Sequence, residues 1–253
     1  MSLTTAEWHS RFVQQARWTQ SLRQYLYAGA GLENTRRVLD VGCGTGVLCA
    51  ELEHAGSARI FGIDIDIDRL VLACEVAPQA AFTQANAFRL PFPDQSFDMV
   101  LCHFFLLWIR EPVPVLAEMK RVTRSRGSIL ALAEPDYGGR IDYPSELAIL
   151  GTWQQTSLRE QGADPQIGRR LPSLFTRAGL ELKEYGILGG QWSAAPTREE
   201  WAMEWKVLLD DLVKAKTGTG NELEKLRLLD LSAWERGERV LFIPTFYAWG
   251  QKA

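Results

Sequence analysis

The chain has 253 residues, of which 46% are hydrophobic and 23% are charged, with a formal net charge of −3. This composition is typical of a globular protein with one sizeable core, and its weakly acidic balance provides no broad positive field to attract a nucleic acid backbone. No apolar run approaches the roughly 18 residues of a membrane-spanning helix, and the first residues lack the layout of a signal peptide.

The 4 cysteines form no CxxC pair, and the Cys, His and acidic residues show no zinc-type spacing. The sequence therefore predicts no metal site. Because free cysteines are typical of a reducing compartment, we also expect a cytoplasmic location.

Residues 5–30 carry apolar side chains at helical spacing and are predicted to form a helix. From about residue 36 to 135, short apolar runs rich in β-branched residues alternate with segments of helical period. Such alternation predicts a parallel sheet covered on both faces, with right-handed crossovers. The five predicted strands lie in RRVLDVG, ARIFGIDI, AAFTQAN, FDMVLCHF and GSILALAEP.

After residue 140 the pattern is mainly helical, with two further strands. Helices are predicted over about 144–161, 169–178 and 197–235, and strands in LELKEYGIL and RVLFIPTFYAWG. No internal repeat or long linker divides the chain, so we expect one α/β domain over residues 1–253. Its parts are a doubly wound, mostly parallel, seven-stranded sheet, a helical N-terminal cap (1–30), a cofactor-binding core (36–135) and helical additions (140–236).

Three glycines, Gly42, Gly44 and Gly46, stand where the first strand turns into a helix, in VLDVGCGTGVLCAEL. In a doubly wound sheet that turn lies beside the ligand-binding crevice, and missing side chains let a ligand reach the backbone and the free N–H groups of the next helix. No Lys occurs from residue 38 to 55, which argues against a nucleoside triphosphate loop. Val47 stands where a dinucleotide fingerprint has its third glycine.

What remains, from Asp40 to Gly46, resembles motif I of the class I methyltransferases that use S-adenosylmethionine (SAM). The resemblance covers about residues 36–135 and is closest to the small-molecule branch similar to the ubiquinone-type C-methyltransferases, also called methyltransferase type 11. It is carried further by Asp64 in FGIDI and by QANAFRLPFPDQSFDMVLCHF and EMKRVTRSRGSILALAEPD. It implies a Rossmann-like fold, SAM as cofactor and S-adenosylhomocysteine (SAH) as product.

The resemblance also implies roles for the residues that match it. Asp64 is expected to accept hydrogen bonds from the ribose hydroxyls, Asp40 to orient the methionine moiety, and Ile65 to cover the adenine face. Asn86, where the family usually has Asp, can still accept a hydrogen bond from adenine through its amide oxygen. The expected cofactor-binding residues are Asp40, Gly42, Gly44, Gly46, Asp64, Ile65, Asn86, Ala87 and Cys102.

A second departure from the family pattern is the turn at 124–127, which reads Arg-Ser-Arg-Gly instead of Lys-Pro-Gly-Gly and lies remote from the cofactor. His103 is the one histidine predicted at the carboxyl end of a core strand, where it could act as a general base or hold the substrate. The alternative is a histidine satisfied by the local backbone. The resemblance implies that a backbone carbonyl at Cys102 or His103 holds the SAM amino group.

Aromatic residues are unevenly distributed, since no tryptophan lies between residues 19 and 107. Those at either end are expected to wall an apolar acceptor pocket closed by the terminal helices, the alternative being simple burial between lobes. The aromatic residues concerned are Trp8, Trp18, Phe104, Phe105, Trp108, Trp153, Trp192, Trp201, Trp205, Trp234 and Trp249. The expected acceptor-pocket residues are Phe104, Trp108, Asp136, Tyr137 and Trp153.

Methyl transfer from a sulfonium is an in-line displacement, in which the protein aligns the nucleophile and excludes water. The leading hypothesis is therefore a SAM-dependent methyltransferase that acts on a small, partly apolar molecule, without a nucleic acid or membrane partner. An RNA or protein methyltransferase is one alternative, although LCHFFLLW lacks the Asn/Asp-Pro-Pro-aromatic run of amine-methylating nucleic-acid enzymes. A non-catalytic SAM-binding sensor is the other. The sequence leaves open the acceptor, the methylated atom and the oligomeric state.

Overall fold

The computed structural model describes residues 3–188, 196–214 and 220–253, with helices α1–α8 and strands β1–β9 numbered in chain order. The helices are α1 (Thr5–Gly29), α2 (Val47–Ala55), α3 (Ile67–Val76), α4 (Pro112–Val122), α5 (Ala148–Glu160), α6 (Leu171–Arg177), α7 (Arg198–Lys214) and α8 (Gly220–Glu235). The strands are β1 (Arg37–Val41), β2 (Arg59–Asp64), β3 (Ala81–Gln84), β4 (Phe97–Cys102), β5 (Thr123–Pro135), β6 (Ile141–Tyr143), β7 (Glu181–Leu188), β8 (Val240–Phe242) and β9 (Thr245–Gln251).

The main sheet has 7 strands in the order β3-β2-β1-β4-β5-β9-β7. Strands β1 to β5 pair in parallel, whereas β9 runs antiparallel to both of its neighbours, β5 and β7. The predicted fold class, a doubly wound and mostly parallel sheet with helical additions, is confirmed. Strand order reverses between β1 and β4, which creates a crevice at the carboxyl ends of the strands.

Both faces of the sheet are buried, as the apolar strands predict. On β1, Leu39 and Val41 belong to one apolar layer and Val38 to the other, because successive side chains point to opposite faces. The first layer includes residues of α4 and α6, and the second includes residues of α1, α2 and α3. The strands that lead into α2 and α3 are therefore held by apolar contacts on both faces.

A third apolar cluster joins α5, α7 and α8, and buried charges tie it to the small β6–β8 sheet. Asp230 accepts hydrogen bonds from the indole nitrogens of Trp201 (2.6 Å) and Trp205 (2.7 Å) and from Arg239 (2.5 Å). Arg239 also contacts Asp142 at 2.7 Å, and Asp142 pairs with Arg140. Each buried charge therefore has an opposite partner, as its removal from water requires.

Two elements differ from the sequence prediction. The final strand predicted over 239–250 is two strands, because Pro244 lacks an N–H and interrupts the ladder. As a result, β8 pairs with β6 in a separate sheet and β9 enters the main sheet. The long helix predicted over 197–235 is divided into α7 and α8, and residues 215–219 between them lie outside the described residues.

In the described ranges, no helix combines the length and apolar character needed to cross a lipid bilayer.

The Asp230 network generates a stability prediction. Asp230→Ala leaves the buried Arg239 and two indole N–H groups without their shared acceptor, so the free energy of unfolding should fall by about 3–5 kcal/mol. Urea denaturation followed by circular dichroism measures this loss. The control is Glu235→Ala, which removes an exposed pair with Arg198 and should cost less than about 1 kcal/mol. Equal losses in the two variants would contradict the prediction.

Candidate functional site

A cavity of about 620 Å³ opens in the crevice at the carboxyl ends of β1, β2 and β4. Its walls come from these strand ends, from α1, from the loop after β4 and from α5 and α7. The cavity therefore lies between the sheet and the helical additions, where a doubly wound fold binds ligands.

The glycine turn after β1 forms part of this wall. The N–H groups of Gly42 and Cys43 both donate to the carbonyl of Ile63 on β2, at 2.8 and 2.9 Å. Gly42 has a φ of +75°, and a Cβ placed there would stand 2.2 Å from the ring of Phe105. A side chain is excluded at Gly42 both by the backbone conformation and by the aromatic ring packed on it.

Gly44 and Gly46 have different surroundings. Gly44 lines the cavity, and a Cβ on it would lie 3.0 Å from the ring of Phe12. Gly46 caps α2 and does not line the cavity; its added Cβ would meet Ala73 of α3 at 3.0 Å. Gly46 thus allows α2 and α3 to pack closely, whereas Gly42 and Gly44 allow the rings of Phe105 and Phe12 to pack on the turn at the cavity wall.

Asp64, the last residue of β2, connects the two strand ends. One of its oxygens accepts the N–H of Gly44 at 2.9 Å, and the other accepts the N–H of Asp66 at 2.9 Å. The carboxylate lines the cavity, and each oxygen keeps a lone pair for a further hydrogen bond. The same side chain therefore holds the turn and is available to a pair of ligand hydroxyls.

Asp40 lies beside Asp64 and is buried at 2% exposure. Burial and the negative charge of Asp64 raise the pKa of Asp40 to about 7, against the lowering effects of the Cys49 thiol and the Arg23 charge. The thiol donates to a carboxylate oxygen of Asp40 at 3.7 Å. Two neighbouring acids in a partly buried cavity favour a ligand that carries positive charge.

The other side of the cavity is apolar with a polar edge. Ile65 is 70% exposed and Phe88 43% exposed, and both line the cavity with Asn86 and Ala87. The side-chain oxygen of Asn86 accepts the N–H of Phe88 at 2.9 Å, which leaves it one lone pair. Exposed apolar side chains at this position suit the flat face of a base such as adenine.

Cys102 and His103, at the end of β4, differ in their exposure to the cavity. Cys102 is fully buried and does not line the cavity, whereas His103 does. Nε2 of His103 lies 2.8 Å from the hydroxyl of Thr19, which accepts a hydrogen bond from Arg23 at 2.5 Å. Burial and the charge of Arg23 hold the pKa of His103 well below its usual range. His103 is therefore a neutral imidazole at neutral pH, anchored to α1.

Of the residues expected in the acceptor pocket, Phe104, Trp108 and Tyr137 line the cavity. Asp136 does not: it pairs with Arg169 and accepts the N–H of Gly138 at 2.9 Å, so it fixes the turn after β5. Trp153 packs against the apolar cluster of α5, α7 and α8 instead. The packing of the turn after β5 and of α5 determines the direction of these two side chains. Their positions in the sequence do not reveal that direction.

The tryptophans divide between cavity and core. Trp8 lines the cavity together with Phe105, and Trp18 is 50% exposed. Four other tryptophans have partners away from the cavity. The indole nitrogens of Trp201 and Trp205 donate to Asp230, and Trp234 packs against the apolar cluster of α5, α7 and α8. The indole nitrogen of Trp249 donates to the hydroxyl of Ser128 at 3.2 Å. Trp192 lies outside the described residues.

Several cavity residues escaped the sequence analysis because helices supply them. From α5, Gln154, Leu158 and Gln161 line the cavity; their i, i+4, i+7 spacing marks one helix face. Residues from the other two helices are Arg11, Phe12, Gln15, Val207 and Asp211. Polar residues within an otherwise apolar helix face are a signal that could have identified the α5 set.

The α5 glutamines are oriented by partners outside the cavity. Oε1 of Gln154 accepts from Arg140 at 2.7 Å, which leaves its NH₂ group as the part available to a ligand. Nε2 of Gln161 donates to Ser157 at 3.2 Å and to Asp211 at 3.1 Å, which leaves its carbonyl oxygen. This wall therefore offers one donor and one acceptor, both uncharged.

Arg11 is the buried cation of the same region, at 8% exposure. It pairs with Glu204 and donates to Gln14 at 3.2 Å. Burial lowers its pKa to about 10, so it remains charged at neutral pH. Among the residues that the structure describes, no group of three His, Cys, Asp or Glu side chains is arranged to hold a metal ion.

Comparisons with known proteins identify the family and the fold. A family model described as "Methyltransferase domain" matches residues 39–131. The demethylmenaquinone methyltransferase of Lysinibacillus sphaericus is 30% identical over 172 residues, 61% of this chain and 74% of that protein. An uncharacterized methyltransferase of Schizosaccharomyces pombe is 29% identical over 153 residues, and the match spans 55% of each protein. The chain thus spans only about half the length of some curated relatives.

Among solved structures, a SAM-dependent methyltransferase of Methanosarcina mazei matches with a TM-score of 0.57 and 19% identity, over 90% of this chain and 96% of that one. A likeness at this identity shows the fold.

The glycine turn generates a binding prediction. Gly42→Ala should weaken SAH binding by about tenfold or more, because the added methyl group pushes the Phe105 ring into the cavity. The left-handed backbone should also cost roughly 1–2 kcal/mol of stability. Isothermal titration and thermal denaturation measure the two effects. Gly56→Ala is the control, since nothing lies within 4 Å of its added Cβ; wild-type affinity in both variants would contradict the prediction.

Proposed function

The chain belongs to the class I SAM-dependent methyltransferases of the type 11 kind, and from this membership we propose that it transfers a methyl group from SAM to a small, partly apolar molecule. The observation that carries the proposal is one continuous cavity that joins the acidic glycine turn to an aromatic and amide-lined chamber under α1, α5 and α7. The first region fits an adenosyl cofactor, and the second fits its acceptor.

On the cofactor side, the carboxylate of Asp64 would accept hydrogen bonds from the ribose hydroxyls of SAM, and that of Asp40 would attract the positively charged methionine end. Gly42 and Gly44 present backbone without side chains at the cavity wall, while Ile65, Asn86 and Ala87 would bind the base. The amino group is held by a carbonyl at the end of β4, for which the cavity-lining His103 is better placed than Cys102. The bound cofactor supplies an electrophilic methyl group on a sulfonium.

The remaining work of the protein is alignment and exclusion of water. Trp8, Phe12, Phe104 and Phe105 surround the middle of the cavity with apolar surface. His103 is neutral, so it accepts a hydrogen bond from the attacking hydroxyl or amine and orients it. Its lowered pKa makes it a weak base. This role suits an acceptor that loses its proton only as the new bond forms.

The chamber disfavours a negatively charged acceptor. Its amide groups from Gln154 and Gln161 are uncharged, Arg11 pairs with Glu204, and Arg69 pairs with Asp66. Asp211, which also lines the cavity, is an acid that accepts a hydrogen bond from Gln161 at 3.1 Å. An anion would therefore leave water beside an acid, and both arginines already have partners, which is costly. The relatives named for demethylmenaquinone support an acceptor of small-molecule type.

We extend the proposal to partners and location. The net charge of −3 and the half-apolar chamber support a small molecule over RNA or protein as acceptor. Residues 1–30 and 140–236 form its acceptor side and residues 36–135 the cofactor core. The four cysteines are free thiols, three of them buried, which supports a cytoplasmic location.

The ribose contact is tested with Asp64→Asn. Replacing the carboxylate by an amide removes charged hydrogen bonds that contribute about 1.5–3 kcal/mol each, so SAH affinity should fall at least about tenfold in isothermal titration. Asp94→Asn, which alters an exposed pair with Arg121, should bind as the wild type does.

Absence of SAH binding by the wild-type protein would overturn the proposed function. Binding without any methylated product, in mass spectra over a broad acceptor panel, would leave a SAM sensor instead.

Asp40 predicts a pH dependence that separates SAM from SAH. With its pKa raised to about 7, Asp40 is mostly neutral below pH 6 and mostly ionised above pH 8. SAM carries a sulfonium charge that SAH lacks, so the SAM-to-SAH affinity ratio should rise with pH. The expected rise is about fivefold, equivalent to about 1 kcal/mol of charge attraction. Titrations at pH 5.5, 7 and 8.5 measure it, and Asp40→Asn should make the ratio constant. A ratio that falls with pH would refute the assignment.

A further inference from the structure

A buried carboxylate lies behind the aromatic wall and is used by none of the steps above. Glu134, on β5, is 0% exposed. One of its oxygens accepts the N–H groups of Phe105 at 3.0 Å and Leu106 at 2.8 Å, and the other accepts the N–H of Leu107 at 3.1 Å. These three consecutive amides have no other acceptor among the described residues.

The segment that Glu134 holds is the loop after β4, residues 103–108, which we term the β4 exit loop. It carries five of the residues that line the cavity: His103, Phe104, Phe105, Leu107 and Trp108. The Phe105 ring lies against Gly42 of the glycine turn. The loop therefore contacts the proposed cofactor side and also forms the wall of the acceptor chamber.

The conformation of this loop is not one that its residues would adopt alone. Phe104 has a φ of +49°, in the left-handed region that is unfavourable for a bulky side chain. The turn that follows brings three N–H groups to one side, where apolar neighbours surround them. Without a buried acceptor these groups would be desolvated and unpaired, which strongly disfavours the turn.

We propose that Glu134 is a positioning residue that fixes the β4 exit loop, and with it the aromatic wall and His103, in the arrangement needed for binding. The last step of this inference, that the arrangement serves cofactor and acceptor, rests on the proposed function. The first step, that the carboxylate orders the loop, does not depend on it. Glutamine cannot replace the carboxylate, because its NH₂ group would face the N–H of Leu107.

Ionisation of Glu134 makes the order of the β4 exit loop depend on pH. Burial raises the pKa of Glu134 to about 7, against the lowering effect of the three N–H groups, and no charged side chain of the described residues contributes. The elements packed around β5 carry further ionisable groups. Two lie at the end of β4 and two precede α6, namely Cys102, His103, Arg169 and Arg170, and the two arginines pair with Asp136 and Asp164. Others are Arg23 on α1, which pairs with Glu51, Arg121 on α4, which pairs with Glu118, and Tyr247 on β9. The three N–H groups lower the pKa of the buried carboxyl, which means that they bind its ionised form more tightly than its protonated form. As long as Glu134 stays buried when the loop opens, the loop should therefore be less ordered below pH 7 than above it.

The experiment measures amide hydrogen exchange of the β4 exit loop and SAH affinity in the same protein samples. Glu134→Gln should lower the protection factors of amides 105–107 by about tenfold or more, the effect of losing one hydrogen bond to a charged group. It should weaken SAH binding by a similar factor through Phe105 and Gly42. Asp98→Asn is the matched control: Asp98 accepts the N–H groups of Arg36 and Arg37, both at 2.8 Å, at the opposite end of β4. It should leave loop protection and SAH affinity unchanged.

A second measurement needs no variant and covers the case in which Glu134→Gln does not fold. In the wild-type protein, protection factors of amides 105–107, corrected for intrinsic exchange, should rise on the order of tenfold between pH 6 and pH 8. Protection that is constant or falls with pH would overturn the proposal, as would a folded Glu134→Gln protein with wild-type protection or wild-type SAH affinity. If the wild type does not bind SAH at all, the proposed function fails, while the exchange data still decide whether Glu134 orders the loop.

Discussion

The structure depends on the contact between two neighbouring strand ends at the carboxyl edge of the sheet. The carbonyl of Ile63 receives the N–H groups of Gly42 and Cys43, and the carboxylate of Asp64 receives that of Gly44. Strand β2 thus fixes the path of the chain after β1 without any side chain from the turn itself. A ligand can then approach the backbone at this turn, and the carboxylate of Asp64 is already in position to bind it.

Buried carboxylates recur through the molecule, and each is compensated differently. Asp230 has a guanidinium and two indole N–H groups, and it joins the helical additions into one unit. Glu134 has three backbone N–H groups, and Asp40 has a thiol and the charge of Arg23 against the repulsion of Asp64. Burial raises the pKa of both Glu134 and Asp40 to about 7; Asp40 lines the cavity, and Glu134 lies behind the loop that lines it. Incomplete compensation is costly to the fold and is expected where a ligand supplies the missing charge.

The helical additions cover part of the crevice and turn it into a partly enclosed cavity. Helices α1, α5 and α7 contribute Arg11, Gln154 and Val207 to the cavity walls, and the charge network from Asp230 to Arg140 determines which atom of Gln154 is available. Under the proposed function, specificity for the acceptor would be set by residues far from the glycine turn in sequence. This arrangement explains how one cofactor core can serve different acceptors in proteins of the same fold.

The sequence by itself determined the α/β fold class, the positions of the first five strands along the chain and the resemblance to the family, because strand periodicity and the spacing from Asp40 to Asp64 depend on local chemistry. It also indicated Gly42, Gly44, Asp64 and Asn86, which do meet at one cavity, although their ligand contacts stay predictions. Only the tertiary structure decided that Gly46 packs on α3, that Asp136 binds Arg169 and that Pro244 sends β8 into a separate sheet. It also decided which face of α5 meets the cavity and what Glu134 holds. These features rest on contacts between residues distant in sequence, and a local pattern carries no information about which distant partner a side chain will find.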